Sequence, residues 1–575
     1  MARPLRDKHA NRRIRLLLAL FTLAFAAMFA RAFWIQGVQA AHLSSLAKSQ
    51  HESTQKIPAG RGTIFDRTGV QLAIGEQTTT IYADPQQVRN ARAIAVAAHE
   101  MFGADANTLY PQLRNKKLQF VYVKRFADPG LAKLFLKKGF AGVLSYPEEL
   151  RTYPQGGVAA QVLGYAGVEN RGLGGLELQY DRRLSGRTGT ETIVRDPTGR
   201  AIDVISARPA QQGADVFATI DHTIQAQAEK VLRDTVSQWH ARDATAIVLD
   251  PSTGEVLAMA ETPGYDANNT ANVARWSPGL LRNRAVTDTY EPGSTFKLVT
   301  ITAALSDKIV KPSTRFTLPY LLQYASCWQC HVQDAEYRGT VNYSVAQILS
   351  YSSNVGAVTI ARQLGAQRLA AWVRRFGFGS LTGIDFPGES PGFVLPLEQW
   401  SDTTIGNEPI GQGISVTPIQ MASVYGAVAN DGVWIQPHLV ERVGGHAPQQ
   451  WKRRRLMSPA VDREVRSMLT GVVADPGATG NEAAIPGYTV AGKTGTAQVP
   501  TSHGYSTTDY TASFVGMVPA SHPRLVVLVK VDDPRGSIYG GVVAAPAFKS
   551  IAKFDLQYLE VPPDAPKTLT STTPG

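Results

Sequence analysis

The chain has 575 residues, 43% of them hydrophobic and 18% charged, which excludes an intrinsically disordered protein and exceeds one ordinary core, so two or three domains are expected. Net charge is +11, but Arg3, Arg6, Lys8, Arg12, Arg13 and Arg15 crowd the first fifteen residues against Asp7 alone. The rest of the excess is dilute and forms no basic stripe interleaved with aromatics, which argues against nucleic acid as a partner.

The basic tail, 1–15, precedes the apolar run LLLALFTLAFAAMFA at 16–30, and Arg31 with AFWIQ carries it to residue 36. Arg31 can snorkel, and Phe33 and Trp34 suit an interface, so 16–36 reads as one transmembrane anchor. Positive charge before the span places the N-terminus in the cytoplasm and the remainder outside. VQA at 38–40 would also serve a cleaved signal peptide, a reading that the continuing apolar run disfavours. Residues 37–60 read as a polar stalk. RGTIFDRTGVQLAIG at 61–75 reads as two short strands around the turn DRTG, with helical patterns near 90–103 and 130–139. With the Gly-rich stretch at 170–191, these make 61–210 a loose α+β pedestal.

A second texture begins at 211. VFATID is a strand, and Asp221 or Thr223 caps the helix that follows. TAIVLD and EVLAMA form a hairpin through PSTG. Helical patterns dominate 341–430, one of them capped by Thr417 with Pro418 at the first helical position. Three late runs, YTVAGKTGTAQV, YTASFVGMVPA and RLVVLVKVDD, are strands, and PAFKSIAKFDLQYL closes with a helix. Joining the early pair to the late trio gives a five-stranded, mainly antiparallel sheet with helices on both faces, an α+β domain over 211–560. Residues 561–575, VPPDAPKTLTSTTPG, read as a disordered tail. The two cysteines, Cys327 and Cys330, read outside the cytoplasm as a structural disulfide, with spare thiols or metal or redox chemistry as alternatives.

In YEPGSTFKLVT, residues 290–300, Ser294 and Lys297 share a helical face. The same spacing recurs at Ser45/Lys48, Ser53/Lys56 and Ser550/Lys553, so spacing alone decides nothing. What distinguishes Ser294 is its company: Ser352-Ser353-Asn354 on a turn before a helix, and Lys493-Thr494-Gly495-Thr496 on a strand. A serine hydroxyl needs a base, and Lys297 can serve if burial or a second cation, Lys493, keeps it neutral. Ser352 can pass the proton to a leaving amine, and Asn354 can orient Lys297 and a substrate amide. Gly495 admits a close backbone, while Lys493, Thr494 and Thr496 suit a carboxylate. The N–H groups of Ser294 and Thr496 can form an oxyanion hole. Arg187-Thr-Gly-Thr190 imitates the third motif but lies in the prefix.

The ordered set Ser-x-x-Lys, Ser-x-Asn, Lys-Thr-Gly resembles the penicillin-recognising serine acyltransferases. From residue 10 to 557 the chain is similar to class B penicillin-binding proteins. RGTIFDR (61–67), RTYP (151–154) and GLGGLE (172–177) resemble their pedestal motifs; GQGISVTPIQ (411–420) and YTASFVGMVPA (510–520) resemble further family stretches. The resemblance implies the penicillin-binding transpeptidase fold behind a dimerisation-type pedestal, and a serine-type D-Ala-D-Ala transpeptidase acting on peptidoglycan stem peptides. It implies catalytic roles for Ser294, Lys297, Ser352 and Asn354, and substrate binding by Lys493, Thr494, Gly495 and Thr496. It implies acylation of Ser294 by β-lactams, attachment to the cell membrane by one helix, and no metal or cofactor. IYADP (81–85) and SVTPIQMASVYGAVANDG (415–432) are similar to the septal branch, which implies a SEDS glycosyltransferase and divisome proteins as partners. The alternatives are an elongation-branch transpeptidase, a D,D-carboxypeptidase or β-lactamase-type hydrolase, and an inactive β-lactam-binding scaffold. The pedestal and anchor argue against a plain β-lactamase, and three intact motifs argue against a scaffold.

Overall fold

Apolar runs far apart in the chain meet in one sheet. The computed structural model describes residues 8–195, 201–269, 273, 275–324, 330–446, 450–502 and 504–565. The sheet's strands are β1 (Asp243–Leu249), β2 (Val256–Thr262), β3 (Ala491–Thr501), β4 (Gly504–Val518) and β5 (Leu525–Asp532). Their order is β2-β1-β5-β4-β3, with every neighbouring pair antiparallel. The early hairpin thus joins the late trio through β1 and β5, as the apolar pattern predicts.

Every residue of β1, β2 and β5 is buried, because helices cover both faces. On one face lie α1 (His222–Trp239) and α6 (Ala545–Tyr558), packed on Val248, Phe514 and Val529. The other core is built by α2 (Lys297–Ser306), α3 (Asn354–Leu364), α4 (Pro418–Ala429) and α5 (Pro459–Ala474) with Ile247, Val515 and Leu528. Asp221 is the residue that caps α1, accepting from Thr223 N at 3.0 Å and Ile224 N at 3.3 Å. Thr417 and Gln420 form a reciprocal capping box around Pro418. All twelve residues of α4 are buried, which explains why its sequence is apolar all round.

The pedestal is more regular than a loose region. Its long strand, Gln71–Ala83, pairs with Ile64–Phe65, Val121–Ala127 and Val143–Thr152. The sheet then takes two strands from beyond residue 210: Val216–Ala218 pairs parallel with Ile64–Phe65, and Val440–Val443 pairs antiparallel with Val216–Ala218. Strands of three and four residues carry too little pattern to be assigned to a sheet from sequence.

The three pedestal motifs meet in one buried ion cluster. Arg61 Nε donates to Glu177 Oε2 at 2.6 Å and Nη1 to Asp181 Oδ1 at 2.8 Å, while Arg151 Nε donates to Glu177 Oε1 at 2.6 Å. Arg61, Arg151 and Glu177 are all buried, so each charge depends on its partners.

The described residues of 1–59 and 186–212 form a compact unit of their own, distinct from the described residues of 60–185 and 213–565. Residues 37–60 are therefore not a bare stalk. They contain a helix, Ala40–His51, and a strand, Glu52–Ile57, that pairs with Gly189–Arg195, which in turn pairs with Ala201–Arg208. That pairing draws 186–212 away from the pedestal division at 61–210 expected from sequence. The apolar helix runs over Ala10–Val38, with a mean hydropathy of 2.1 in its most apolar 18-residue window and none of that window buried. At about 1.5 Å per residue it exceeds the roughly 30 Å hydrocarbon core of a bilayer. It begins before residue 16 because Ala10, Arg12, Arg13 and Arg15 are good helix formers.

The tail needs a correction at its start. Residues 561–565 are tied down: Tyr488 Oη donates to Val561 O at 2.6 Å, and Thr489 N donates to Asp564 Oδ1 at 2.7 Å. Composition reads the prolines but not these partners seventy residues upstream. Residues 566–575 lie outside the described residues, as does Cys327, half of the expected cysteine pair.

Candidate active site

The nucleophile candidate sits where two left-handed glycines let three segments touch. Gly293 has φ +54°, and its N donates to the O of Gly411, itself at φ +77°. A Cβ on Gly293 would lie 2.8 Å from Thr496 O, so only glycine lets this turn rest on β3. Half-buried Ser294 follows in a tight turn, Gly293–Phe296, that runs directly into α2. Tyr425 Oη holds that turn from α4 by donating to Thr295 O at 2.9 Å.

Lys297, the first residue of α2, is fully buried. Its Nζ donates to Ser352 O at 2.5 Å, Ser352 Oγ at 3.2 Å and Asn354 Oδ1 at 2.7 Å. Ser352 has φ +56°, a left-handed conformation that costs a non-glycine residue about 1–3 kcal/mol and that places its O and Oγ on the same amine. Ser353 caps α3 by accepting from Gly356 N at 3.0 Å. Asn354 Nδ2 donates to Gln333 O at 2.9 Å, which turns Oδ1 toward Lys297.

Lys493 projects from the inner face of β3 and is also fully buried. Its Nζ donates to Thr494 Oγ1 at 3.1 Å and Thr494 O at 3.3 Å. Thr494 Oγ1 donates to Thr479 Oγ1 at 2.9 Å, and Thr496 Oγ1 accepts from Gly540 N at 3.2 Å. Burial pulls the Lys297 amine down to about 7, against the opposing pull of the Asp334 carboxylate. Burial also drives Lys493 well below the ordinary lysine range, and the charge of Lys297 pushes the same way. Two amines buried this deeply can leave one neutral near pH 7.

All eight residues singled out in the three motifs therefore converge on one region around α2, the start of α3 and β3. Packing also calls for glycine at 495: a Cβ there would collide with Ser513 Oγ and lie 3.0 Å from Pro292 O. β3 is an edge strand, so half of its backbone groups stay open to pair with an extended peptide. The look-alike motifs fall elsewhere. Ser550 lies on α6, on the opposite face of the sheet, with its hydroxyl bonded to Pro546 O at 2.9 Å. Lys56 pairs in register with Thr190 in the N-terminal unit, which also holds Ser45, Lys48, Ser53 and Arg187.

Two participants escape the motifs. Asp334 accepts from Ser353 Oγ at 3.0 Å, Val355 N at 3.0 Å and Arg338 Nε at 2.7 Å, and so fixes the turn that holds Lys297. Glu291 accepts from Gly413 N at 2.9 Å and Tyr505 Oη at 3.0 Å, bracing the segment before Ser294. Nothing in the spacing of Asp334 signals it; GQGISVTPIQ does point to Gly411 and Gly413. Among the described residues one group has metal-like donors within 4.8 Å of one another, Asp66, Asp221 and His222. Asp66 already accepts from Thr68 N, Val70 N and His222 Nδ1, and Asp221 caps α1.

Comparison with known proteins agrees with this geometry. A family model described as the penicillin binding protein transpeptidase domain matches residues 244–553, and one described as the penicillin-binding protein dimerisation domain matches 56–218. The chain is 32% identical to the peptidoglycan D,D-transpeptidase FtsI of Escherichia coli K12 over 97% of its own length and 94% of that protein. It is 32% identical to the probable peptidoglycan D,D-transpeptidase PbpC of Pseudomonas aeruginosa, covering 97% of both chains. A crystal structure of penicillin binding protein 3 from Mycobacterium tuberculosis in complex with aztreonam superimposes with TM-score 0.70 at 30% identity, covering 89% of this chain and 99% of that one. With a buried Ser-x-x-Lys helix, a Ser-x-Asn turn on its amine, a Lys-Thr-Gly edge strand and a matching pedestal, this chain belongs to the class B penicillin-binding proteins, the peptidoglycan D,D-transpeptidase family.

Proposed function

We propose that this protein cross-links peptidoglycan stem peptides during septal wall synthesis. Ser294 attacks the penultimate D-Ala carbonyl of a stem pentapeptide; terminal D-Ala leaves, and an acyl-enzyme forms. The amine of a neighbouring stem peptide then resolves it. Lys297 takes the serine proton, Ser352 passes a proton to the departing amine, and Asn354 holds Lys297 and the substrate amide. Lys493, Thr494 and Thr496 hold the donor's carboxylate on β3, with Gly495 keeping the strand against the Ser294 turn. β-Lactams acylate the same serine. The observation that carries this reading is the buried Lys297 amine, 2.5–3.2 Å from Ser352 and Asn354 and one helical turn after Ser294. The basic tail before the apolar helix supports a cytoplasmic N-terminus and an extracytoplasmic catalytic domain. The pedestal, less the stretch from 186 that pairs with the N-terminal segment, carries the catalytic domain that follows it to about residue 560, and a SEDS glycosyltransferase with divisome proteins is the partner set.

The test uses the full chain in detergent with a labelled pentapeptide donor and an amine acceptor. Cross-linked dimer with release of D-Ala is the expected outcome. Release without dimer would make the protein a carboxypeptidase-type hydrolase. Depletion in cells separates the branches: filaments with blocked septa are expected, whereas rounded cells would assign it to elongation.

A further inference from the structure

Thr479 lies outside all three motifs, in the turn after α5. Its backbone is held from two sides. Thr479 N donates to Ser350 O at 3.3 Å, and Gly541 packs so closely that a Cβ there would collide with Thr479 O. Ser350 Oγ donates to Asp475 Oδ2 at 2.9 Å, and Asn481 Nδ2 closes the turn on Val473 O at 2.7 Å and Asp475 O at 3.0 Å. The turn therefore bridges Ser350, two residues before Ser352, to β3.

Hydrogen-bond polarity on β3 is uneven. A hydroxyl has one proton to give and two sites that accept. Thr496 Oγ1 accepts from Gly540 N at 3.2 Å, so its proton stays free for a ligand. Thr494 Oγ1 accepts from Lys493 Nζ at 3.1 Å and gives its own proton to Thr479 Oγ1 at 2.9 Å. In this state Thr494 offers an incoming carboxylate no donor. Thr479 is exposed, so its hydroxyl is free to turn. If Thr479 donates instead, Thr494 accepts from both Lys493 and Thr479 and its proton is released toward the ligand. The result is a directed chain, Thr479 to Thr494 to carboxylate, whose links strengthen one another.

We propose that Thr479 is a positioning residue for the acyl donor: by reversing its hydrogen bond with Thr494 it makes the Thr494 hydroxyl a donor to the substrate carboxylate. This rests on β3 being the strand that holds that carboxylate. The test is rapid-quench acylation of the full-length protein in detergent by benzylpenicillin, resolving the pre-acylation dissociation constant from the acylation rate constant. Thr479→Val is expected to weaken the pre-acylation complex about 3- to 10-fold, the worth of one hydrogen bond, with the rate constant held within about twofold. Thr479→Ser restores wild-type binding, and Thr479→Ala repeats the loss without a branched side chain. A purely structural role would change both constants and lower the melting temperature, and serine would not correct it. Unchanged binding in both hydroxyl-free variants, or a loss confined to the rate constant, would overturn the proposal. Ser294→Ala runs alongside: a covalent adduct persisting there would refute the underlying reading of the site, whatever Thr479 does.

Discussion

In the proposed reaction Lys297 is the residue on which the chemistry turns, because burial sets its protonation state. A base must be neutral to take a proton, so acylation is expected to rise about tenfold per pH unit below the amine's value of about 7 and to level off above it. A flat profile from pH 5.5 to 9 would remove Lys297 from that role. Asp334 raises the proton affinity of Lys297, so Asp334→Asn is expected to move the midpoint to lower pH. The same change weakens the acceptor for Ser353 and Val355, and acylation at pH 8 is expected to fall about tenfold as the turn loosens. A midpoint that moves upward would contradict the assignment. The ordered company of three local motifs, not the spacing of any one, singles out Ser294, Lys297, Ser352 and Asn354 in the sequence. It cannot reveal Asp334, which lies nineteen residues before Ser353 and reaches it only once the chain is folded.

At the scale of elements, β3 is held in place by glycines. A Cβ on Gly540 would collide with Ser513 O and Gly495 O, both backbone atoms with no room to yield. Gly540→Ala is therefore expected to cost about 1–3 kcal/mol and lower the melting temperature by a few degrees. Gly279→Ala, where nothing lies within 4 Å, is the control and is expected to be near neutral. Equal melting temperatures for the two variants would mean that the strand tolerates displacement. The central sheet was legible because its five strands are apolar and bounded by turns. The pedestal sheet was not, since two of its strands, Val216–Ala218 and Val440–Val443, are short, and the second lies more than two hundred residues beyond the first. The N-terminal strand pairing was hidden for a similar reason: Glu52–Ile57 is polar, and its partner lies beyond residue 188.

For the molecule as a whole, the buried ion cluster of the pedestal motifs is expected to serve stability rather than chemistry. Glu177 accepts from both Arg61 and Arg151 with all three buried, so Glu177→Gln leaves buried guanidinium charge poorly paired and is expected to cost about 3–5 kcal/mol. Thermal unfolding should show that loss while the acylation rate of the folded fraction stays within about twofold of wild type; a rate loss at unchanged stability would give the cluster a catalytic role. The most direct test of the central claim is intact-mass analysis of the full chain after exposure to benzylpenicillin, for wild type and Ser294→Ala. One penicilloyl adduct on the wild type and none on the variant is the expected result. An adduct that survives in Ser294→Ala, or none on well-folded wild type, would contradict the assignment of Ser294 as the acylated nucleophile.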